Sequence, residues 1–266
     1  MPLIEARSLV ASFSRALTSF QSSQDSFRIL CTLPHTSNVP APRRPTHPLQ
    51  NLVILDSSFN PPTLAHASMA RSALRLEGEK RLMLLLSVNN ADKAPKPASF
   101  PIRLSMMEAM GRELLDEGVE IDVAVTTMPF FHDKAKAVSE SGFYATHDGG
   151  QPVQTFLAGE GIQNALGPFF EKCKVRVTTR PDETWGGVDE QRAWLTKERV
   201  RDVGGNEAWI ERVEMVEGRD GDGDVSSSRV REVVKGGKGS LDGLVGDEVR
   251  GWIEREALYR DRDESL

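Results

Sequence analysis

The 266-residue sequence is poor in cysteine, in aromatic side chains and in long apolar runs, and it has no surplus of positive charge. Cys31 and Cys173 are its only cysteines. They lie far apart, with no CxxC pair and no histidine pair at metal-ligand spacing, which is the pattern of reduced thiols inside a cell and argues against secretion. The longest unbroken apolar run, Leu82 to Leu86, falls far short of the roughly 20 residues a membrane-spanning helix needs, so no membrane span is expected. Lys+Arg number 33 against 39 Asp+Glu, a net charge of −6, and a chain with this balance is a poor binder of duplex nucleic acid. The excess acid is concentrated in residues 181–266, which hold 14 Lys+Arg against 22 Asp+Glu. A small anionic ligand gripped by a few placed cations suits this distribution. No internal repeat is present at any solenoid period.

The chain is long enough for one large domain with its own core, without disulfides or structural metal. Residues 1–50 read as a lead-in: Leu9, Val10, Phe13, Leu17 and Phe20 recur at helical spacing, and a proline-rich stretch runs from Pro40 to Pro48. An arginine- and serine-rich, acid-poor start also fits a mitochondrial transit peptide, but a helix docked on the core is the favoured reading. Phe27 to Leu33 reads either as a short strand or as more of this lead-in.

From residue 51 to 266 apolar strands alternate with amphipathic helices. Strands are expected at Asn51–Asp56, Arg81–Val88, Val119–Val125, Val153–Ala158, Lys174–Thr179 and Trp209–Val216. Helices are expected at Thr63–Leu76, Arg103–Asp116, around Ile162–Glu171, and across Val225–Tyr259 with glycine-rich joints. This order implies an α/β, Rossmann-like parallel sheet with helices on both faces and ligands bound beyond the carboxyl ends of the strands. Trp185, Trp194, Trp209 and Trp252 all sit in apolar patterns and are expected in the core.

Directly after the first of these strands comes Asp56-Ser57-Ser58-Phe59-Asn60-Pro61-Pro62-Thr63-Leu64-Ala65-His66. Asn60 is a candidate N-cap, the prolines suit the first positions of a helix, and the helix N-terminus then points its amides at an anion above the sheet. Thr63 and His66, three apart on the first turn, would face the same ligand. A second string, Val225-Ser226-Ser227-Ser228-Arg229-Val230-Arg231, also opens a helix. Its spacing brings serine hydroxyls, amides and the Arg231 guanidinium to one anion and leaves Arg229 in solvent. Asp220, Asp222 and Asp224 alternate before it as in a calcium loop, but Val225 and Arg231 stand where such a loop needs Gly and Glu, so it reads as an acidic loop.

Both strings resemble the nucleotidyltransferases with a G-[ST]-F-[ND]-P opening and an HxGH-type turn, and within them the nicotinamide mononucleotide adenylyltransferases. Ser58, Phe59, Asn60 and Pro61 match the opening, and Thr63 and His66 match the two histidine positions. Ser226, Ser227, Ser228 and Arg231 match the family's I-S-S-T-x-x-R motif. Lys93, Lys96, Arg103 and Met106 stand where the family has a lysine-rich loop and an R-x-x-M helix; Arg103 reads equally well as a helix-face ion-pair partner. Ser57 and Ala65 replace glycines of the pattern. After the fourth strand the family has G-x-D, whereas here Gly159 is followed by Glu160 and Gly161 and the next stretch is shortened.

The resemblance implies an enzyme joining the AMP part of ATP, with Mg²⁺, to nicotinamide or nicotinate mononucleotide by in-line attack on the α-phosphorus. His66, Arg231 and Thr63 would then be catalytic. Ser58, Phe59, Asn60, Ser226, Ser227, Ser228, Lys93, Lys96, Arg103 and Gly159 would contact nucleotide, and no metal-ligating residue is assigned. A cytidylyl- or pantetheine-type transferase, or a nucleotide-binding protein without catalysis, are the alternatives. The expected partners are small nucleotides rather than nucleic acid or membrane, in the cytoplasm or nucleus, with the mitochondrion as the second choice.

Overall fold

The computed structural model describes residues 4–88, 98–145, 150–158, 167–179, 186–202, 205–218, 225–237 and 239–260. Helix α1 (Ala6–Gln21) and strand β1 (Phe27–Leu33) come first, followed by β2 (Asn51–Asp56), α2 (Leu64–Ala73), β3 (Lys80–Ser87), α3 (Phe100–Glu113) and β4 (Ile121–Thr126). Then come α4 (Phe131–Glu140), β5 (Val153–Ala158), α5 (Gly167–Lys172), β6 (Cys173–Thr179), α6 (Val188–Trp194), α7 (Lys197–Asp202) and β7 (Val213–Glu217). The last helices are α8 (Ser227–Gly236) and α9 (Asp247–Arg255).

The strands form one sheet in the order β1-β4-β3-β2-β5-β6-β7. Strands β2 to β7 are mutually parallel, and β1 lies antiparallel on the outer edge of β4. From β2 the chain steps outward through β3 and β4, then returns to the other side of β2 for β5, β6 and β7. The order therefore reverses between β2 and β5, and the crevice beyond their carboxyl ends is where such sheets bind ligands.

Alternation along the buried strands divides the core in two. Val53, Leu55, Leu82, Leu84 and Leu86 face the layer of α1, α3 and α9, while Leu52, Ile54, Met83 and Leu85 face α4 and α5. Parallel strands covered on both faces must be apolar throughout, which is why Leu52–Leu55 and Leu82–Leu86 are continuous runs. Helix α1 buries Leu9, Phe13, Leu17 and Phe20 in the first layer, one side of a 3.6-residue repeat. Gly111 lets α3 approach β1 closely, since a Cβ there would stand 2.7 Å from Leu33 Cδ1. Residues 1–50 thus supply a core helix and a sheet strand.

At the amino ends of β3 and β4 the buried Asp122 carboxylate accepts from Thr32 Oγ1 at 2.6 Å, from the Tyr144 hydroxyl at 2.6 Å and from Arg81 at 3.3 Å. Burial pushes this carboxyl above its ordinary range, and the Arg81 charge and the hydroxyl donors hold it back. The network fastens β1 and Tyr144, beyond α4, to the centre of the sheet.

Several expected boundaries shift for local reasons. Helix α3 begins at Phe100 rather than Arg103 because Ser99 is its N-cap and Pro101 is tolerated in the first turn. The expected strand from Trp209 is a 3₁₀ turn over Glu207–Arg212, with β7 starting at Val213. The helix expected around Ile162–Glu171 is described only as α5, and Val225–Tyr259 divides into α8 and α9. Trp252 is buried and Trp209 packs 5.5 Å from Phe170, but Trp194 is 54% exposed with the Arg199 guanidinium over its ring, so it is not a core residue. Trp185 lies outside the described residues.

Candidate active site

Strand β2 ends at Asp56, and the turn after it carries the first string to the amino end of α2. The helix is capped by Thr63, not Asn60. Pro61 and Pro62 lie in the turn ahead of the cap rather than in the helix, so Asn60 is displaced three residues from the capping position. His66 reaches back to Thr63: Nδ1 accepts from the Thr63 amide at 3.1 Å and lies 2.7 Å from the Thr63 hydroxyl. A nitrogen that accepts an amide proton carries none of its own, so the ring proton is on Nε2. From there it donates to Ser57 Oγ at 2.9 Å. Thr63 is therefore turned onto His66 rather than standing beside it toward a ligand, and it sets the tautomer that gives His66 a donor facing the strand end. Phe59, fully buried with φ +44°, packs 5.4 Å from the imidazole. A left-handed backbone at a non-glycine residue is strained by roughly 1–3 kcal/mol and persists only where packing holds it.

The second string meets the first. Ser227 Oγ donates to the Pro61 carbonyl at 2.7 Å, and Arg231 Nη1 donates to the Asn60 carbonyl at 2.8 Å. The N-terminus of α8 is thereby fixed against the turn at the sheet's reversal point. Ser226 is the N-cap of α8, its hydroxyl accepting from the Arg229 amide at 3.1 Å, and Ser228 Oγ accepts from Arg231 Nη2 at 2.9 Å. The three serines thus shape the helix end and aim Arg231, while Arg229 is exposed as expected.

Arg103 joins from α3. Its Nε donates to the Ala98 carbonyl at 2.8 Å and its guanidinium lies 5.1 Å over the Phe100 ring, so among the described residues it bonds the backbone ahead of its own helix rather than a carboxylate on the helix face. Burial draws the Arg103 guanidinium below its ordinary range, and the nearby Arg231 charge draws it further, against a pull upward from Tyr259. Two partly buried cations beside a helix N-terminus are a grouping whose chemistry suits an anion. Lys93, Lys96 and Gly159 lie outside the described residues, as do Asp220, Asp222 and Asp224.

One group at this end of the sheet escaped the sequence reading. Lys134 of α4 is buried and its Nζ lies 2.5 Å from Asp56 Oδ2 at the tip of β2. Burial raises the Asp56 carboxyl above its ordinary range, and Lys134 counters this. The signal was the i, i+4, i+7 spacing of Phe131, Ala135 and Val138.

A family model described as cytidylyltransferase-like matches residues 54–233, a span that contains both strings. The chain belongs to this cytidylyltransferase-like family. A Schizosaccharomyces pombe protein, provisionally named a nicotinamide mononucleotide adenylyltransferase, is 28% identical over 79% of this chain and 87% of its own length. A Bordetella pertussis protein, provisionally named a nicotinate-nucleotide adenylyltransferase, is 26% identical over 78% of this chain and 96% of its own. Among solved structures, Plasmodium falciparum nicotinic acid mononucleotide adenylyltransferase complexed with NaAD superposes with a TM-score of 0.54 at 13% identity, over 79% of this chain and 97% of that one. The same enzyme complexed with APC gives 0.53 at 12% identity, with the same coverage. These two likenesses show a shared fold. Placed on it, the cytidylyltransferase-like match puts the turn after β2 and the N-terminus of α8 within one family domain.

Proposed function

We propose that this member of the family transfers the adenylyl group of ATP to nicotinamide or nicotinate mononucleotide, giving the dinucleotide and pyrophosphate. The observation that carries the reading is the junction of the two strings, with Arg231 and Ser227 bonded to the backbone of Asn60 and Pro61 at the reversal point of the sheet. The names of the two sequence relatives support adenylyl transfer over cytidylyl transfer, and they divide between the amide and the acid as acceptor.

In this reaction a phosphate oxygen of the mononucleotide attacks the α-phosphorus of ATP, the bond to the β-phosphate oxygen breaks, and pyrophosphate leaves with the electron pair. No protein nucleophile is needed. Rate comes from alignment and from donors placed where charge grows. His66 Nε2–H, the α8 amides and the guanidinium of Arg231 supply such donors, with Arg103 adding positive potential. Mg²⁺ enters on the phosphates of ATP as part of the substrate; among the described residues no three His, Cys, Asp or Glu side chains are grouped to hold a metal ion.

Incubation with Mg²⁺ and ATP or CTP, and with each mononucleotide or phosphopantetheine as acceptor, tests the proposal by chromatography of the products. Dinucleotide and pyrophosphate from ATP and a pyridine mononucleotide are expected. Product from CTP alone, or from phosphopantetheine alone, would replace the reading with the corresponding transferase. ATP binding without any product would make the chain a nucleotide-binding protein.

A further inference from the structure

At the tip of β2 successive side chains leave on opposite faces of the sheet. Asp56 turns to Lys134 of α4, and Ser57, whose amide still bonds the Leu85 carbonyl of β3 at 3.3 Å, turns to His66 of α2. Helices α2, α3 and α8 pack into one layer, so Ser57 Oγ lies on the same side of the sheet as the helices that carry Arg103 and Arg231. Ser57 is half-buried and is followed by the exposed Ser58. Glycine stands at this position in the pattern the first string resembles, so the hydroxyl is an addition made by this chain.

The imidazole is held at three points. Nδ1 receives the Thr63 amide at 3.1 Å, the Phe59 ring packs 5.4 Å away, and the Nε2 proton is given to Ser57 Oγ at 2.9 Å. A hydroxyl has one proton and two lone pairs. His66 takes one lone pair of Ser57, and among the described residues the Ser57 proton has no acceptor. The links run one way, from amide to imidazole to hydroxyl, and a chain of this kind polarises its last donor. We infer that Ser57 is a phosphate-contacting residue: its hydroxyl, polarised by His66, donates to a phosphate oxygen of the bound nucleoside triphosphate, so that the His66 donor reaches the ligand through Ser57 Oγ. The identity of this ligand rests on the proposed function. The two side chains then divide the work, His66 holding and polarising, Ser57 touching the phosphate.

The test is a double-mutant cycle on MgATP affinity, measured by calorimetry for wild type, Ser57→Ala, His66→Ala and the double variant, with thermal melts in parallel. Removing the hydroxyl should weaken MgATP binding about fivefold, the size of one hydrogen bond's net contribution. In the His66→Ala background the same change should cost less than about twofold, because the hydroxyl is no longer held or polarised. Were His66 to meet the phosphate directly, Ser57→Ala would release Nε2 and leave the affinity equal or higher. Should Ser57→Ala fail to fold, Ser57→Gly puts the same question with the residue of the resembled pattern and should lose affinity alike. Equal or tighter binding by the folded variant, or an equal loss in both backgrounds, overturns the inference, as does a wild-type protein that binds no MgATP. Product analysis separates the two claims: a wild-type protein that binds MgATP but forms no dinucleotide overturns the adenylyl-transfer reading while the cycle still reports on Ser57.

Discussion

His66 has two tasks in this structure, and they can be separated by substitution. Its Nδ1 receives the Thr63 amide and hydroxyl, closing a capping box at the start of α2, while Nε2 is the donor proposed to meet the growing charge. His66→Ala removes both. Thr63 is 2% exposed, so its amide and hydroxyl would lose their partner in a nearly dry setting, at about 1–3 kcal/mol. At about 2–4 °C per kcal/mol for a domain of this size, the melting temperature should fall by roughly 2–12 °C. Loss of one preorganised donor should also lower turnover by about 10²–10³-fold. His66→Glu separates the effects, because Thr-x-x-Glu is itself a capping box and restores the acceptor for the Thr63 amide. That variant should melt within a few degrees of wild type and yet lose at least as much turnover as His66→Ala, since a carboxylate repels the triphosphate. Pyrophosphate release under saturating substrates reads the second quantity and calorimetric melting the first. His66→Glu with turnover within tenfold of wild type would refute the donor role, and His66→Ala with unchanged melting would refute the capping role.

Further expectations follow from the neighbouring contacts. Lys134→Met strands the buried Asp56 carboxylate and should cost about 3–5 kcal/mol at neutral pH, while Asp56→Asn with Lys134→Met should recover most of it. A carboxyl whose folded pKa lies above its ordinary value stabilises most below that ordinary value and loses the contribution as pH rises through the raised one, so the deficit of Lys134→Met should shrink from pH 8 to pH 5 in urea titrations. A deficit that grows on acidification would contradict the direction of the shift. Ser57→Gly removes the hydroxyl bonded to His66 Nε2 and should change the KM for ATP by about two- to tenfold, an unchanged KM counting against a bearing of this contact on the donor. Phe13→Ala in α1 should cost about 3–5 kcal/mol in chemical denaturation without changing turnover of the folded enzyme at 20 °C. A loss under 1 kcal/mol would show that α1 is not integral to the core.

Much of the architecture is legible in the sequence because fully buried parallel strands leave unbroken apolar runs, as at Leu52–Leu55 and Leu82–Leu86, and few other structures do. Helix α4 was missed for the opposite reason. Its apolar positions at Phe131, Ala135 and Val138 are interrupted by His132, Asp133, Lys134 and Lys136, and the signal sank below the charge, taking Lys134 with it. Strand β1 was ambiguous because an edge strand's partner is set by tertiary contacts, here the pairing with β4 and the bond from Thr32 to Asp122. At the site, the residue types were readable but not their mutual assignments. Spacing placed Thr63 and His66 on one turn, yet whether the hydroxyl faces a ligand or the imidazole depends on where the cap falls. The prolines moved that cap from Asn60 to Thr63. Nothing local in the sequence indicates that the Tyr259 hydroxyl donates to Asn60 Oδ1 at 3.0 Å, because that contact exists only once α9 has docked against α3.

The junction between Asn60–Pro61 and Ser227–Arg231 also bears on how the protein is assembled and kept. Under the proposed function, a triphosphate gripped by both strings would act as a temporary cross-link between segments 166 to 171 residues apart. Nucleotide at a hundred times its dissociation constant would add about 2.7 kcal/mol to the native state, comparable to a disulfide yet set by concentration rather than by redox chemistry. A chain emerging during synthesis gains none of this until α8 has been made. Under the proposed function, the ATP concentration would then tune the equilibrium stability of the finished domain.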